Sequence, residues 1–196
     1  MKKLAEQVAY IAGLMFDRHL TDIAGGNVSA KDGDRIYITP RYAGSKKHWR
    51  LTYQDIISGL ISTDEIIDNP AFSREGLSHL SVYRAYPEVK AIIHAHPPHV
   101  LAFCAIEKHI EPIINSAQKY GTLIYHDHAP SYSQEQADSI VEKLSGKEEM
   151  IKSAAAAVLM PLHGIFIAGK DLFQAVDALE RINTNAWCLI AQKMIV

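Results

Sequence analysis

The 196-residue sequence contains few cysteines and has no long apolar run. Its two cysteines, Cys104 and Cys188, lie 84 positions apart, so they predict neither a disulfide framework nor a close metal-binding pair. The longest apolar run covers nine residues, 154–162, whereas a helix needs about 20 residues to cross a bilayer. Residues 6–7 are Glu and Gln, where a signal peptide would have its apolar core. We therefore expect a cytoplasmic protein without a membrane partner.

The sequence also lacks an excess of charge of either sign. It contains 20 basic and 22 acidic residues, which give a net charge of -2, so no large positive field is available to hold a nucleic acid. Hydrophobic residues make up 48% of the chain, a fraction typical of a globular protein with a buried core. The length suits one domain of about 100–200 residues, and no Pro/Ser/Gly-rich stretch divides the chain. We predict a single domain over residues 1–196.

Apolar periodicity predicts both helices and strands. Apolar residues spaced by three and four favour helices, whereas short β-branched runs bounded by turn residues favour strands. Residues 40–49 have no period and are predicted to form a loop, and an Asp-Gly turn at 32–33 predicts a hairpin. These signals indicate an α/β architecture with a mixed, largely antiparallel sheet. The predicted helices cover residues 4–20, 73–86, 98–104, 134–144 and 171–190, and the predicted strands cover 28–30, 35–39, 89–96, 110–114, 122–125, 156–162 and 165–168.

Three of the ten histidines have positions that suit a metal site. His94 and His96 lie in a predicted strand, so their side chains point to the same face, about 6.5–7 Å apart along the strand. His163 lies at a predicted turn beside Gly164, where a rigid scaffold presents a third ligand. A His-x-His pair at a strand end is also common as ordinary polar surface, and the spacing alone leaves both interpretations open.

Two further groups of residues surround this set. Glu75 and His79 are four residues apart on a predicted helix and share a face. They are either a solvated pair, which contributes a few tenths of a kcal/mol, or a carboxylate that ligates a metal or transfers protons beside it. The pairs Gly26-Asn27 and Ser73-Arg74 have the backbone N–H groups and short side chains that bind anions. Each pair taken singly is also an ordinary turn or helix cap.

Together these motifs resemble the class II aldolase/adducin family over residues 5–190. The resemblance implies a three-layer α/β/α fold and reversible aldol cleavage of a small ketose phosphate through a metal-stabilised enediolate. The motifs are Gly-Asn-Val-Ser at 26–29, Tyr-Ile-Thr-Pro at 37–40, Ser-Arg-Glu at 73–75 with His79, Ala-Ile-Ile-His-Ala-His-Pro at 91–97, and His-Gly at 163–164 before a helix with Ala-Leu-Glu at 178–180.

The resemblance also assigns roles to residues. It implies Zn²⁺, or another divalent ion such as Mn²⁺ or Co²⁺, on His94, His96 and His163, with Glu75 as the catalytic acid/base. The implied substrate is a small phosphorylated sugar, and the implied assembly is a homotetramer with active sites between subunits. The residues implied to bind the substrate phosphate are Gly26, Asn27, Thr39, Ser73 and Arg74.

The reaction type stays open at this point. Glu rather than Asp at position 75 favours an aldolase over a 4-epimerase, but sugar-phosphate dehydratases and decarboxylases of the family remain alternatives. A non-catalytic, adducin-like interaction module is the alternative from another class of function. The presence of all three histidines together with Glu75 argues against it.

The sequence departs from the family pattern at three places. The phosphate loop Thr-Pro-x-Gly reads Thr-Pro-Arg-Tyr at 39–42, and Lys46 and Lys47 follow. These cations strengthen phosphate binding, select a carboxylate, or are solvated charges. Where the family has an intersubunit tyrosine this chain has Ile-Ile-Asn at 113–115, with Tyr120 and Tyr125 nearest, and it lacks the C-terminal tyrosine. The His-Asp-His cluster at 126–128 is either a polar loop or a functional site.

Overall fold

The computed structural model describes residues 2–125 and 128–195. Helices and strands are interspersed along the chain, as the sequence predicts. The α-helices are α1 (Lys2–Asp17), α2 (Ala43–Lys47), α3 (Gly76–Ala85), α4 (Pro98–Ala105), α5 (Gln134–Leu144), α6 (Glu148–Ser153) and α7 (Leu172–Ala191). The strands are β1 (Asn27–Asp32), β2 (Arg35–Ile38), β3 (Ile57–Leu60), β4 (Ala91–Ala95), β5 (Ala155–Met160) and β6 (Gly164–Gly169).

The six strands form one sheet in the order β3-β2-β1-β4-β6-β5. Every neighbouring pair in it is antiparallel, and the predicted hairpin is confirmed as β1 and β2. Strand β4 lies between β1 and β6, and its residue His94 is opposite Asn27 on one side and Phe166 on the other. Because β4 is hydrogen-bonded along both edges, the backbone that carries His94 is held rigidly.

Helices cover both faces of the sheet, which confirms the three-layer α/β/α architecture. On one face, α1, α4 and α7 pack against apolar side chains that include Ala91, Ile93 and Ala95 of β4. On the other face, α3, α5 and α6 pack around a second cluster that includes Ile92. Since side chains alternate along a strand, His94 belongs to the face of Ile92, which is the face covered by α3.

The prediction of a loop at residues 40–49 was wrong in part, because Ala43–Lys47 form the short helix α2. One helical turn is too short to show an apolar period. Residues with left-handed backbone bound it at both ends, Tyr42 with φ of 65° and His48 with φ of 46°. Trp49 then enters the core, and its indole N–H donates to the Asp22 carbonyl oxygen at 2.7 Å.

The prediction of strands at 110–114 and 122–125 was also wrong, since only an isolated bridge between Ile110 and Leu123 joins them. The backbone N–H groups of Ile113 and Ile114 instead donate to the side-chain oxygen of Asn185 in α7, at 2.9 and 3.2 Å. A helix side chain therefore takes the place of a neighbouring strand. Strand β3 and helix α6 were not predicted.

The helix predicted from residue 73 begins later, at Gly76. Residues 73–75 thus form the turn that leads into α3, and the N–H group of Gly76 donates to the carbonyl oxygen of Ser73 at 2.9 Å. Among the described residues, no helix combines the length and the apolarity needed to cross a bilayer.

Candidate metal centre and anion cleft

The fold brings the three predicted histidines together. One ring nitrogen from each of His94, His96 and His163 lies within 4.8 Å of the others. The Nε2 atoms of His94 and His96 are 3.1 Å apart. Two imidazoles bound to one zinc ion at about 2.0–2.1 Å in tetrahedral geometry place their nitrogens at a similar separation. The geometry therefore fits a single ion.

Hydrogen bonds orient two of the rings. His94 Nδ1 donates to the carbonyl oxygen of Ile165 at 3.1 Å, which leaves its Nε2 lone pair free. His96 Nδ1 is 3.3 Å from Asp22 Oδ1, and that carboxylate is itself fixed by the backbone N–H of Ala24 at 2.8 Å. A backbone carbonyl and a carboxylate are the usual partners of the non-ligating nitrogen of a metal-binding histidine.

The turn before β6 presents the third ring. The N–H group of His163 donates to the carbonyl oxygen of Met160 at 3.0 Å, and Leu162 has a left-handed φ of 56°. Gly164 follows with φ of +145°, and a Cβ atom there would lie 2.3 Å from the carbonyl oxygen of Ala95. Only glycine permits this close approach to β4, so the geometry of the turn requires glycine directly after His163.

Burial keeps these histidines neutral. Loss of solvent lowers the pKa of His94 well below its ordinary value, and the neighbouring His96 lowers it further. Burial lowers the pKa of His163 to about 4, again with a contribution from His96. Metal binding needs neutral imidazoles, so no proton has to be removed from them near neutral pH.

Glu75 lies beside the histidines in an unusual state for a carboxylate. It is only 3% exposed, and neither carboxylate oxygen has a hydrogen-bond partner among the described residues. Its Oε1 atom is 3.7 Å from Nε2 of His163. Burial raises the pKa of Glu75 to about 7, against the opposing effect of Arg74. Three neutral imidazoles and an unpartnered buried carboxylate form a donor set that fits a divalent cation.

His79 does not pair with Glu75, and both side chains are buried, so the solvated-pair interpretation was wrong. The His79 ring lies between Asn27 Oδ1, 2.5 Å from Nε2, and Ser29 Oγ, 2.7 Å from Nδ1. Burial lowers the pKa of His79 to about 3, so one ring nitrogen donates and the other accepts. With its oxygen bonded to His79, the Asn27 amide keeps its NH₂ group for another acceptor.

A cleft of about 430 Å³ opens beside the histidines. Thr39 does not line it: the side chain is fully buried, and its Oγ1 atom accepts from the N–H group of Val28 at 3.1 Å. His96 does not line the cleft either. The predicted residues that line the cleft are Gly26, Asn27, Ser73, Arg74, Glu75, His94 and His163.

Two tyrosines that the sequence did not single out also line this cleft, Tyr42 and Tyr132. The ring centroids of Tyr132 and His163 are 6.1 Å apart. Tyr120, one of the two predicted replacements for the family tyrosine, is instead buried against α7, with its hydroxyl 3.5 Å from Asp177. Tyr125 lines a separate depression. No periodic signal marks Tyr132, because it lies in the irregular segment before α5.

The remaining predicted cluster is only partly visible. His126 and Asp127 lie outside the described residues, and His128 lines the same depression as Tyr125 rather than the cleft. Lys47 forms a salt bridge with Asp55. This pairing argues against the role in anion binding that the sequence left open for Lys47.

The chain belongs to the family described as Class II Aldolase and Adducin N-terminal domain, which matches residues 6–190. An L-fuculose phosphate aldolase of Methanococcus maripaludis is 30% identical over 176 residues, 88% of this chain and 89% of that protein. A 3-oxo-tetronate 4-phosphate decarboxylase of Haemophilus influenzae is 27% identical over 189 residues, 92% of this chain and 84% of that protein.

A solved structure of an L-fuculose 1-phosphate aldolase covers 100% of this chain and 88% of its own, with a TM-score of 0.84 at 20% identity. This likeness confirms the class II aldolase fold predicted from the sequence. The family resemblance is confirmed as well, and it places the chain in an enzyme superfamily that uses a divalent metal. The relatives include both aldolases and a decarboxylase, so membership alone leaves the reaction open.

The histidine geometry predicts about one divalent ion per purified chain. The double variant His94→Ala/His96→Ala should contain almost none, since one histidine remains. Metal content by plasma emission spectrometry checks this, with His109→Ala as a control that removes a histidine outside the cluster. Full metal content in the double variant would contradict the assignment.

The buried Glu75 predicts a pH dependence of stability in the metal-free protein. Its pKa is about 7 when folded and near 4.3 when unfolded, so its stabilising effect is complete below about pH 4 and is lost as the pH rises through 7. Between pH 4 and 8 the free energy of unfolding of the wild type should fall by about 3 kcal/mol more than that of Glu75→Gln. Urea unfolding measures both proteins, and the histidine contributions cancel in the difference. Parallel pH curves would contradict the prediction.

Proposed function

We propose that the protein is a divalent-metal-dependent class II aldolase that reversibly cleaves a small ketose phosphate. The observation that carries this proposal is the buried Glu75 carboxylate, which has no hydrogen-bond partner among the described residues and lies 3.7 Å from one member of a three-histidine cluster. The 30% identity to an L-fuculose phosphate aldolase over most of both chains supports the reaction type.

His94, His96 and His163 are the residues that would hold the ion, and Zn²⁺ suits a set of three neutral imidazoles. Mn²⁺ and Co²⁺ are alternatives that the same ligands accept. When bound, such an ion supplies Lewis-acid stabilisation of negative charge on substrate oxygens. A cation there would also lower the pKa of the neighbouring Glu75 carboxyl group.

Glu75 is the group that transfers the proton. In aldol cleavage the bond between C3 and C4 breaks and its electron pair stays on C3, which then takes a proton, while the C4 hydroxyl loses one as the aldehyde forms. Burial favours the protonated form of Glu75 and a bound cation would favour the ionised form, so the carboxyl group can both donate and accept a proton near neutral pH. Its burial also excludes water, which would otherwise protonate the carbon without control.

The phosphate site is proposed at Gly26, Asn27, Ser73 and Arg74, which line the cleft near the histidines. Gly26 has φ of +103°, a conformation that glycine adopts without strain. Asn27 offers the NH₂ group that His79 leaves free, and Arg74 offers a guanidinium that matches phosphate geometry. Thr39 was predicted to contact the phosphate. We propose instead that it positions the site indirectly, because its hydroxyl oxygen holds the β1 backbone at Val28.

Decarboxylation of a phosphorylated 3-oxo acid is the second candidate, because the Haemophilus influenzae decarboxylase matches 92% of this chain. The two reactions break different bonds but leave the electron pair on the same kind of carbon. Dehydratase and 4-epimerase activities remain family alternatives. A screen of sugar phosphates that scores dihydroxyacetone phosphate and carbon dioxide separately decides between the candidates.

Replacing Glu75 by Gln should lower kcat by about 10²–10⁴, the range for general acid–base groups. Glutamine keeps the size of the side chain but cannot accept or release the proton. Steady-state kinetics of the metal-loaded protein, with metal content measured in parallel, checks this. Turnover within about threefold of wild type, or activity restored by added zinc, would identify Glu75 as a ligand or a cap instead of the base.

Replacing Asn27 by Ala should have the opposite kinetic effect and raise KM more than it lowers kcat. The amide is proposed to bind phosphate equally in the ground state and the transition state. The same assay measures it, and Asn27→Asp is the matched variant, since a carboxylate in that place should repel phosphate. A fall in kcat with KM unchanged would count against Asn27 as a phosphate ligand.

We also propose a homotetramer with active sites between subunits, as the family resemblance implies. Light scattering at assay concentration measures the assembly. A monomer with full activity would contradict an intersubunit site.

A further inference from the structure

Three cationic side chains gather around one aromatic ring at the cleft. The guanidinium of Arg41 lies 4.9 Å from the centroid of the Tyr42 ring, Lys46 Nζ lies 4.7 Å from it, and the Arg74 guanidinium lies 5.9 Å from it. Arg41, Tyr42 and Arg74 line the same cleft as Glu75. We call Arg41, Tyr42, Lys46 and Arg74 the Tyr42 cluster.

The cations of the Tyr42 cluster are not held in salt bridges by the part of the chain that the structure describes. Within residues 2–125 and 128–195, none of the three forms a salt bridge with a carboxylate. The neighbouring Lys47, in contrast, is paired with Asp55. Like charges gathered in a partly enclosed cleft repel one another, and an anionic ligand relieves that repulsion.

Tyr42 itself occupies a backbone conformation that suits glycine. Its φ is 65°, in the left-handed region that side chains with a Cβ atom disfavour. The side chain is 43% exposed, so burial in the core does not compensate for the strain. Cation–π contacts of the ring with Arg41, Lys46 and Arg74 stabilise the side chain in this position. Backbone strain of this kind is concentrated at ligand sites.

Tyr132 is a second aromatic neighbour of Arg74. Its ring centroid is 4.3 Å from the Arg74 guanidinium, and it too has a left-handed φ, of 69°. Arg74 therefore contacts two tyrosine rings, that of Tyr42 within the cluster and that of Tyr132, which lies beside the His163 ring. Stacking of this kind fixes the orientation of a guanidinium without using its N–H donors.

We propose that the Tyr42 cluster is a second anion subsite of the cleft, which binds a carboxylate that the substrate carries in addition to its phosphate. This inference rests on the proposed function, since it extends the substrate class of that site to phosphorylated sugar acids. A phosphate monoester carries about 1.5 to 2 negative charges, fewer than the three positive charges of the Tyr42 cluster, for which the described residues provide no salt bridge. Arginine forms paired hydrogen bonds to a carboxylate, and Arg41 provides such donors beside Arg74, which is proposed to bind the phosphate.

Binding to the metal-free protein tests this without relying on turnover. Calorimetry compares matched ligands that differ in one carboxylate: 3-phosphoglycerate against glycerol 3-phosphate, and 4-phosphoerythronate against erythritol 4-phosphate. In at least one pair the carboxylate should improve Kd by about tenfold or more. Failure of the proposed aldolase reaction would leave this preference intact, so the two ideas are tested separately.

Variants locate the preference. Arg41→Gln should abolish the gain from the carboxylate, that is, the tighter Kd of the carboxylate ligand relative to its matched polyol phosphate. The Kd for the polyol phosphate itself should change by less than about threefold. Tyr42→Phe keeps the ring and should keep the gain, whereas Tyr42→Gly relieves the backbone and should lose the gain without a fall in Tm. Lys47→Gln removes one positive charge beside the cluster and should leave the gain unchanged, whereas Lys46→Gln should reduce it.

Three results would overturn the proposal. The first is equal affinity for both members of each pair in the wild type. The second is an equal loss of affinity for both members in Arg41→Gln, which would make the cluster part of the phosphate site alone. The third is no binding of any of the four ligands at about 10 mM, because a site without measurable affinity cannot select a carboxylate.

Discussion

The position of β4 between β1 and β6 is the constraint on which the rest of the site depends. It places His94 at the centre of the sheet, opposite Asn27 on one side and Phe166 on the other. The β6 neighbour supplies the carbonyl oxygen of Ile165 that orients the His94 ring. The β1 neighbour supplies the residue whose amide is fixed by His79. One pairing register thus determines both the proposed metal ligand and the proposed phosphate ligand, and a slip of one residue would turn both to the opposite face.

Burial acts in opposite directions on the acid and on the bases of the site. It lowers the pKa of His94 and His163, so these groups are neutral bases, and it raises the pKa of Glu75, so this group holds its proton near neutral pH. A low-dielectric pocket therefore disfavours every charged form in the absence of an ion. A divalent cation reverses this balance for Glu75, because the carboxylate then faces a positive charge. This coupling connects metal binding with the protonation state of the group that we propose transfers the proton.

The sequence predicted the centre of the molecule better than its edges. His94 and His96 lie in or beside β4, whose β-branched residues and bounding prolines indicate a strand, so their proximity could be inferred from strand alternation. The place of Glu75 beside them was implied by the resemblance. Tyr42 and Tyr132 could not be found in this way, because each lies in an irregular segment and has a left-handed φ. No periodic pattern in the sequence predicts such a conformation. Thr39 shows a different difficulty: its motif was recognised, but only the structure reveals that its hydroxyl is bonded to the β1 backbone.

The cleft thus combines two parts with different origins. The histidines and Glu75 depend on the sheet and on a turn in which Gly164 is sterically required, so little in them can vary without loss of the arrangement. The Tyr42 cluster depends on the short helix α2 and the turn before α3, where side chains can change without disturbing the core. In the proposed reaction the rigid centre would generate a carbanion-like species, and the Tyr42 cluster would select the anionic substrate that reaches it. In both candidate reactions the bond that breaks is determined by what the substrate carries next to that carbon, so the proposed subsite would influence the outcome together with the metal ligands.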